Sequence, residues 1–440
     1  MTDEPPINIF ARAAARKRRG PGNTRPPGQE WKANLATSET GKIVRSLSNA
    51  LVAFREAPEW RGVFAWNAFA SRLVITREMP ARRNGMAVPR DLSETDVTHA
   101  TDWLQRNGIL VGSAVTREAV RAVAEDATFH PVRDWLDGLE WDGVARLDAW
   151  LTGYLGVAPI PLHCAFAARW IIGLVARVMR PGCQFDTMLI LEGPQGLRKS
   201  TALRVIADPW FTDHLPDLTN KDALAQIQGV LVTEIAELST LGRAETSRIK
   251  SFISTRVDRF RPPYGSVPVD HPRQCGFAGT INPGGNGYMR DETGARRFWI
   301  VACAHGWHTN QQIDVEALAA VKDQLWAEAV VRYRAGENWW LDTEPLETAQ
   351  RDAAEKRRTD DPRERRIREY ITGLAWVRLD QILGGECLNI PVERWTVAMR
   401  MEIGAVMVTL KWQRRLKRVG PKEREWRYYP EGSTDDEDKP

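Results

Sequence analysis

The stretch LEGPQGLRKST at residues 191–201 has the residue types and spacing of a phosphate-binding loop. That loop requires Gly, four residues, Gly, Lys and then Ser or Thr. Gly193, Lys199 and Ser200 match this pattern, whereas Arg198 occupies the position of the second glycine. If that position needs a positive φ, the arginine costs about 1–2 kcal/mol. The match predicts that backbone N–H groups and Lys199 bind phosphates and that the Ser200 hydroxyl binds Mg²⁺.

Two apolar stretches downstream end in side chains that suit the same chemistry. VLVTEIAEL carries Glu234 and Glu237, which are suited to binding Mg²⁺ and to orienting or deprotonating a water molecule. CGFAGTIN ends in Asn282, an amide that can help to position this water. Each stretch alone also fits an ordinary strand end, but the upstream loop favours a nucleotide site whose metal ligands are Ser200 and Glu234. The residues predicted to bind ATP are Gly193, Pro194, Gln195, Gly196, Leu197, Arg198, Lys199, Ser200 and Thr201.

The paired arginines Arg296 and Arg297 in RDETGARRFWIV precede a further apolar stretch. One interpretation is local ion pairing with Asp or Glu. The other is an arginine finger that reaches a nucleotide bound by the neighbouring subunit, which requires a ring-shaped oligomer.

The elements that position these residues are short apolar stretches alternating with helical patterns over residues 155–335. This alternation predicts a parallel-type sheet flanked by helices. The predicted strands are DTMLILE, VLVTEIAE, CGFAGTIN and RFWIVAC.

The segments on either side are predicted to form smaller units. Residues 31–154 are predicted to be a mainly helical N-terminal domain, with a helix capped by Ser93 and a turn or helix terminus at His130. Residues 363–430 are predicted to form a small winged-helix-like domain, because helical segments precede a basic two-stranded stretch. The remaining predicted segments are a disordered basic tail at 1–30, a charged helical connector at 336–362 and a disordered acidic tail at 431–440.

The composition limits the class of protein. The chain has 440 residues with 18 tryptophans and 43% apolar residues, which excludes a mostly disordered protein. Its five cysteines show no CxxC spacing, which argues against a zinc site or a disulfide framework and fits the reducing cytoplasm. No signal peptide is recognisable, and the most apolar helical stretch, AFAARWIIGLVARVM, contains Arg169 and Arg177. We therefore expect a cytoplasmic protein without a membrane partner.

From about Trp31 to Val301 the sequence resembles the virulence-associated protein E family of phages and mobile elements, whose motor core is similar to the superfamily 3 helicases of viruses. The motifs that carry the resemblance are HPVRDWLDGLEWDG, LEGPQGLRKSTALR, WFTDHLPDL, EIAEL, RIKSFISTRVDRFRPPYG, GTIN and DETGARRFW.

The resemblance implies an α/β fold with a P-loop AAA+-like core of the superfamily 3 helicase type. It implies that Glu234 and Glu237 serve the metal and the water, that Asn282 is the polar sensor, and that Arg297 or its neighbour Arg296 is the finger. The family usually has glycine at the position of Arg198.

Two basic stretches are candidates for binding DNA. In DRFRPPYGSVPVDHPRQ, where the related helicases place a DNA-tracking hairpin, basic and aromatic residues flank a Pro/Gly turn. A surface hairpin with ordinary charges is the alternative. In KWQRRLKRVGPKEREWRYY, basic residues alternate with aromatic ones, and a partner-docking surface is the alternative. The predicted DNA-binding residues are Arg259, Arg261, Tyr264, Arg273, Arg414, Arg415, Lys417 and Arg418.

Together these patterns predict an ATP-dependent DNA helicase or translocase that forms a homo-oligomeric ring, a hexamer by expectation. Its expected ligands are ATP, Mg²⁺ and single-stranded or forked DNA, and other replication proteins are further candidate partners. The first alternative is a DNA-binding replication initiator or nucleotide switch with little hydrolysis, which Arg198 favours. An interaction protein that recruits replication factors and a primase are further alternatives.

Overall fold

The structure of the protein is a computed structural model that describes residues 28–80, 87–214, 222–236, 243–261, 267–282, 295–307, 311–355, 362–420 and 424–433. Within these ranges the chain forms a mixed α/β structure whose largest sheet is parallel. Glu237 and Tyr264 lie outside the described residues, as does most of each predicted tail.

The first part of the chain combines helices with a small sheet. Its helices are α1 (Leu47–Glu56), α2 (Glu94–Arg106), α3 (Ser113–Glu125) and α4 (Pro131–Gly138). Its strands are β1 (Phe64–Asn67), β2 (Arg72–Ile75), β3 (Arg90–Asp91) and β4 (Thr128–Phe129), in the order β3–β2–β1–β4.

Two local predictions in this part are confirmed. Ser93 caps α2, because its hydroxyl accepts from the N–H of Asp96 while the Asp96 carboxylate accepts from the N–H of Ser93. His130 caps α4, because its Nδ1 accepts from the backbone N–H of Arg133 at 3.1 Å. Both caps satisfy N–H groups that have no partner inside the helix.

The central part contains the parallel sheet. Its strands are β5 (Met188–Glu192), β6 (Phe211–Thr212), β7 (Val232–Ile235), β10 (Gly276–Ile281) and β11 (Phe298–Ala302), in the order β11–β5–β10–β7–β6. Every neighbouring pair is parallel. The four strands predicted from the sequence are therefore confirmed as β5, β7, β10 and β11. Strands β8 (Val257–Phe260) and β9 (Val269–Pro272) form a separate antiparallel hairpin between β7 and β10.

Helices cover both faces of the parallel sheet. The central helices are α5 (Trp150–Leu155), α6 (Pro161–Met179), α7 (Lys199–Ala207), α8 (Asp222–Gln226), α9 (Arg243–Ser254), α10 (Val315–Arg334) and α11 (Glu344–Glu355). Leu189 and Leu191 of β5 pack with residues of α6, α7 and α10, whereas Met188 and Ile190 pack with residues of α9. This alternation explains why the strands are apolar throughout, since both faces are buried.

Helix α6 is long and apolar enough to cross a membrane by length and composition, but most of it is buried inside the protein. Phe166 of this helix stacks on Trp299 of β11 with 4.8 Å between ring centroids. Arg177 is completely buried and donates to the carbonyl oxygen of Phe185. The helix is therefore a central element of the core.

The last part of the chain has its own hydrophobic cluster. Its elements are α12 (Pro362–Ile371), α13 (Leu379–Leu383), α14 (Val397–Thr409), β12 (Trp412–Arg418) and β13 (Arg424–Pro430). Strands β12 and β13 pair antiparallel, and Val377 adds a single bridge to Tyr428. The domain boundaries expected from the sequence remain predictions.

Candidate functional site

The loop between β5 and α7 lies at the carboxyl edge of the parallel sheet. Gly196 and Arg198 both have left-handed backbone conformations, with φ of 82° and 69°. A side chain at Gly193 would collide with Leu197, whose Cδ2 lies 2.8 Å from the ideal Cβ position. The loop therefore turns tightly into the N-terminus of α7, where backbone N–H groups favour an anion.

Lys199 is buried at the mouth of this loop. Its ammonium donates to the carbonyl oxygens of Gly193 and Pro194 at 2.7 and 2.9 Å, and to Oδ1 of Asn282 at 3.0 Å. Burial lowers the pKa of Lys199, and Cys303 and Glu234 partly oppose that effect. An ammonium in this position is stabilised by any negative charge that enters the loop.

Glu234 of β7 is buried beside the first turn of α7. Its Oε1 accepts from the Ser200 hydroxyl at 2.6 Å and from the Thr280 hydroxyl at 2.7 Å. Its Oε2 is buried and has no hydrogen-bond partner. Because a buried carboxylate oxygen without a partner is costly, this atom is a candidate ligand for a cation.

The sheet order explains how these residues meet. Strand β10, which leads to Asn282, lies between β5 and β7. Since the strands are parallel, their carboxyl ends share one edge, where α/β proteins commonly bind ligands. Lys199, Ser200, Glu234 and Asn282 converge there, whereas Glu237 lies outside the described residues.

Other predicted loop residues surround this centre without making its side-chain contacts. Leu197 is buried in the core and fixes the loop, and Gln312 donates to the carbonyl oxygen of Gly196 at 3.0 Å. Thr201 is exposed on α7. The guanidinium of Arg198 reaches Glu316 on α10 at 3.2 Å, so this side chain is engaged outside the Lys199 cluster.

Arg296 and Arg297 lie at the opposite edge of the sheet, immediately before β11. Arg297 pairs with Asp186 at 3.2 Å and donates to the Ser254 hydroxyl at 2.9 Å, which is the local pairing that the sequence also allowed. Arg296 is exposed. The intervening strand β5 is about 13 Å long. The structure therefore does not bring either arginine to Lys199 of the same chain.

One residue predicted to bind DNA is corrected by the structure. Arg273 is buried, its guanidinium pairs with the buried carboxylate of Asp258, and it also donates to the carbonyl oxygen of Phe252. A guanidinium enclosed in this way is not available to a phosphate. Arg259 and Arg261 of the same hairpin are exposed, and Arg259 lies 3.6 Å from Asp270.

The four basic residues predicted in the C-terminal hairpin lie on two different faces. Arg414 and Arg418 are exposed on one face, whereas Arg415 and Lys417 are half-buried on the other. Alternation along the strand accounts for the difference.

Sequence reasoning missed several partners in these clusters. Thr280 was a detectable candidate, since it is polar within the apolar strand CGFAGTIN and lies two residues before Asn282. Asp258 was also detectable, since it lies two residues before Phe260 and therefore shares the buried face of β8. Glu316 and Asp186 carry no comparable signal, because their roles depend on elements distant in the sequence.

A family model described as virulence-associated protein E-like domain matches residues 136–360, which is just over half of the chain. No curated protein sequence matches. Among solved structures, the apo structure of the NrS-1 C-terminal region (305-718) is similar with a TM-score of 0.45 and 11% identity, covering 84% of this chain and 96% of that one. The A form apo structure of the same region gives a TM-score of 0.40 and 12% identity with the same coverage.

Proposed function

Since this chain belongs to the virulence-associated protein E-like family, we propose that it is an ATP-dependent DNA helicase or translocase that acts in the replication of a phage or another mobile element. The observation that carries the proposal is the convergence of Lys199, Ser200, Glu234 and Asn282 at one edge of the sheet. The proposed reaction is hydrolysis of the terminal phosphoanhydride bond of ATP in the cytoplasm.

The strand order supports a P-loop AAA+-like core. In nucleotide hydrolases with an additional strand between the phosphate-loop strand and the acidic strand, the inserted strand carries a polar sensor. Here β10, which ends before Asn282, lies between β5 and β7. The strand contacts both groups, since Asn282 accepts from Lys199 and Thr280 donates to Glu234.

Lys199 and the N-terminus of α7 are proposed to bind the phosphates. The Lys199 ammonium is held by neutral carbonyl oxygens. Phosphate oxygens are stronger acceptors, because the hydrogen bond then joins two opposite charges. Burial already disfavours the charged form of Lys199, so a phosphate relieves that cost.

Ser200 and Glu234 are proposed to hold Mg²⁺, and the residues present fit that ion. The Ser200 hydroxyl and both Glu234 oxygens lie together, and Oε2 has no other partner. Few protein ligands suffice, since Mg²⁺ is usually bound by one or two carboxylates together with substrate phosphates and water. When bound, the ion neutralises charge on the transferring phosphoryl group. Asn282 and Glu237 are proposed to orient the attacking water.

The remaining elements are assigned to DNA and to assembly. Arg259 and Arg261 of the β8–β9 hairpin and the C-terminal hairpin are proposed to contact single-stranded or forked DNA. The ring, proposed to be a hexamer, allows an arginine of one subunit to stabilise the phosphoryl group held by the next.

ATP hydrolysis measured with and without single-stranded DNA tests the proposal. Lys199→Ala is expected to abolish turnover. Arg204→Ala is the matched control, because Arg204 lies on the same helix, is exposed and pairs with Asp213 outside the cluster. The motor proposal is rejected if DNA-stimulated turnover does not depend on Lys199.

The alternative function is a DNA-binding initiator or nucleotide switch that binds ATP but hydrolyses little of it. The left-handed Arg198, tied to Glu316, is the observation that favours it. A switch binds a labelled ATP analogue in a Lys199-dependent manner without DNA-stimulated turnover, which separates it from the motor.

A further inference from the structure

The C-terminal hairpin of β12 and β13 has two chemically different faces. On the first, which we call the packed face, Arg415, Lys417, Glu425 and Arg427 are half-buried. Glu425 pairs with Arg427, and its carboxylate lies 3.5 Å from the guanidinium of Arg378. Arg415 of the packed face donates to the carbonyl oxygen of Ser433 at 3.0 Å, so Arg415 and Arg427 are both engaged within the C-terminal unit.

The second face, which we call the exposed face, has the opposite character. Towards the turn it carries Arg414, Leu416, Arg418, Arg424 and Trp426, all of which are exposed, whereas Trp412 and Tyr428 at its other end are buried in the C-terminal cluster. At its described positions this face contains no acidic residue. Arg418 lies directly opposite Arg424, so two guanidinium groups are neighbours on this face. Such a face is complementary to a polyanion.

An aromatic and an aliphatic side chain lie at the centre of this basic face. Trp426 and Leu416 are cross-strand partners and are 49% and 45% exposed. The guanidinium of Arg414 lies 4.4 Å from the centroid of the Trp426 ring. A large aromatic ring exposed among arginines combines the two contacts by which proteins hold unpaired strands, namely stacking on bases and pairing with phosphates.

The preceding helix has a different surface. The exposed large side chains of α14 are Val397, Met401 and Val408, and its one basic residue is Arg400. A helix that reads base edges needs hydrogen-bonding side chains on its exposed face. The hairpin is therefore better suited to nucleic acid than α14.

We propose that the exposed face of the C-terminal hairpin is a binding site for an unpaired nucleic-acid strand, in which a base stacks on Trp426 against Leu416. Arg414, Arg418 and Arg424 hold the flanking phosphates. The inference rests on the proposed function as a nucleic-acid motor and specifies the residues that hold the strand. It also gives different roles to the four basic residues predicted from the sequence. Arg414 and Arg418 contact phosphates, whereas Arg415 and Lys417 on the packed face are assigned to the folding of the C-terminal unit.

The test uses the full chain and a fluorescently labelled, unstructured single-stranded oligonucleotide, with anisotropy measured at several salt concentrations. Trp426→Leu keeps an apolar side chain but removes the ring. Because stacking contributes about 1–3 kcal/mol per base, we expect affinity to fall about 5- to 150-fold with an unchanged salt slope. Trp426→Phe is expected to retain most of the affinity.

The arginines and the helix provide matched comparisons. Arg414→Gln combined with Arg418→Gln is expected to reduce the salt slope by about 1.4, since each phosphate contact to a single strand contributes about 0.7. Met401→Ser, on the exposed surface of α14, is expected to leave the affinity unchanged. A blunt duplex of the same sequence is expected to be insensitive to Trp426→Leu.

Two outcomes overturn the inference. One is an affinity for the single strand that Trp426→Leu leaves unchanged; if that variant also alters self-association, the face is a protein-docking surface instead. The other is an equal loss for single strand and blunt duplex. Lys199-dependent hydrolysis by the wild type is measured separately, so failure of the motor proposal and failure of the strand site are distinguishable.

Discussion

Arg198 holds a left-handed backbone conformation at the position where phosphate-binding loops have glycine, with φ of 69°. This conformation costs a residue with a Cβ about 1–2 kcal/mol, and glycine avoids most of that cost. The pair with Glu316 is exposed, so it contributes little towards that cost. The loop therefore keeps its shape in spite of the arginine, because the surrounding contacts determine it.

Substitution of Arg198 separates the backbone effect from the ion pair. Arg198→Ala removes the pair and keeps the backbone strain, whereas Arg198→Gly removes both. We expect the glycine variant to be more stable than the alanine variant by about 1 kcal/mol, measured by urea unfolding. Glu316→Gln is the control for the pair alone. Equal stability of the two Arg198 variants would contradict a left-handed conformation at this position.

The residues of the candidate site differ in how far the sequence could predict them. Lys199, Glu234 and Asn282 follow or end buried strands, so their convergence follows from parallel strand order. Arg273 was misassigned, because a stretch of basic and aromatic residues has the same sequence pattern whether its arginine is exposed or buried. Only the hairpin register, which faces it towards Asp258, distinguishes the two cases.

Helix α6 packs closely on the sheet because two glycines make room for one aromatic ring. A Cβ at Gly173 of α6 would lie 2.3 Å from Phe185, and a Cβ at Gly276 of β10 would lie 2.8 Å from the same ring. Gly173 is thus retained inside a helix, where glycine is otherwise unfavourable by about 1 kcal/mol relative to alanine.

Alanine at Gly173 is expected to destabilise the protein although it is the better helix former. Overpacking against Phe185 costs about 1–3 kcal/mol, which exceeds the gain in helix propensity. Gly153→Ala in α5 is the matched control, since nothing lies within 4 Å of its added Cβ, and it is expected to be neutral or slightly stabilising. Thermal unfolding measures both. Phe185→Leu should partly restore stability to Gly173→Ala, and a failure to do so would contradict the proposed collision.

The N-terminus of α2 depends on one buried carboxylate. Arg90 donates to both oxygens of Asp96 at 2.6 and 2.7 Å, and Ser93 donates to Oδ2 through its hydroxyl and its N–H. Burial by itself raises the pKa of Asp96, but the hydrogen bonds from Arg90 and Ser93 outweigh it, so the pKa lies below its ordinary value. The carboxylate therefore stabilises the fold only while it is ionised.

Asp96→Asn is expected to cost about 2–3 kcal/mol at neutral pH, because it removes hydrogen bonds to a charged group. Since the folded-state pKa is lowered, this contribution is fully present above the unfolded-state value of about 3.9 and is lost as the pH falls further. The difference between wild type and variant in urea unfolding should shrink below about pH 4. Asp102→Asn, on the exposed side of the same helix, should cost less than about 0.5 kcal/mol. A difference that is independent of pH would contradict the role of the ionised carboxylate.

The strands of the central sheet were predictable as elements, since uninterrupted apolar runs between polar punctuation indicate strands buried on both faces. Their spatial order was not, because the sequence gives no measure of which parallel strands are neighbours. The charged connector predicted at residues 336–362 contains α11 (Glu344–Glu355), and α12 begins at Pro362, whereas residues 356–361 lie outside the described residues. Proline at the start of α12 fits a helix N-terminus, where its missing N–H has no cost.

The two edges of the parallel sheet carry complementary halves of the proposed catalytic site. Lys199 and Glu234 lie at the carboxyl edge, and Arg296 is exposed beside the amino end of β11. Within one chain the length of the paired strands β5 and β11 separates them. The proposed ring joins two different surfaces of neighbouring subunits head to tail, which allows the amino edge of one subunit to face the carboxyl edge of the next.

Subunit mixing tests this arrangement of the whole molecule. Lys199→Ala and Arg296→Ala are each expected to lose ATP hydrolysis, the second without loss of nucleotide binding. When the two are mixed in equal amounts, about a quarter of the interfaces combine an intact Lys199 site with an intact neighbouring Arg296, so hydrolysis should partly return. Arg297→Ala is the matched control, because Asp186 and Ser254 of its own chain hold that guanidinium, and mixing should not restore what it loses. If hydrolysis recovers only when Lys199→Ala is mixed with Arg297→Ala, Arg297 is the residue that acts across the interface. If hydrolysis recovers in neither mixture, a site shared between subunits is contradicted.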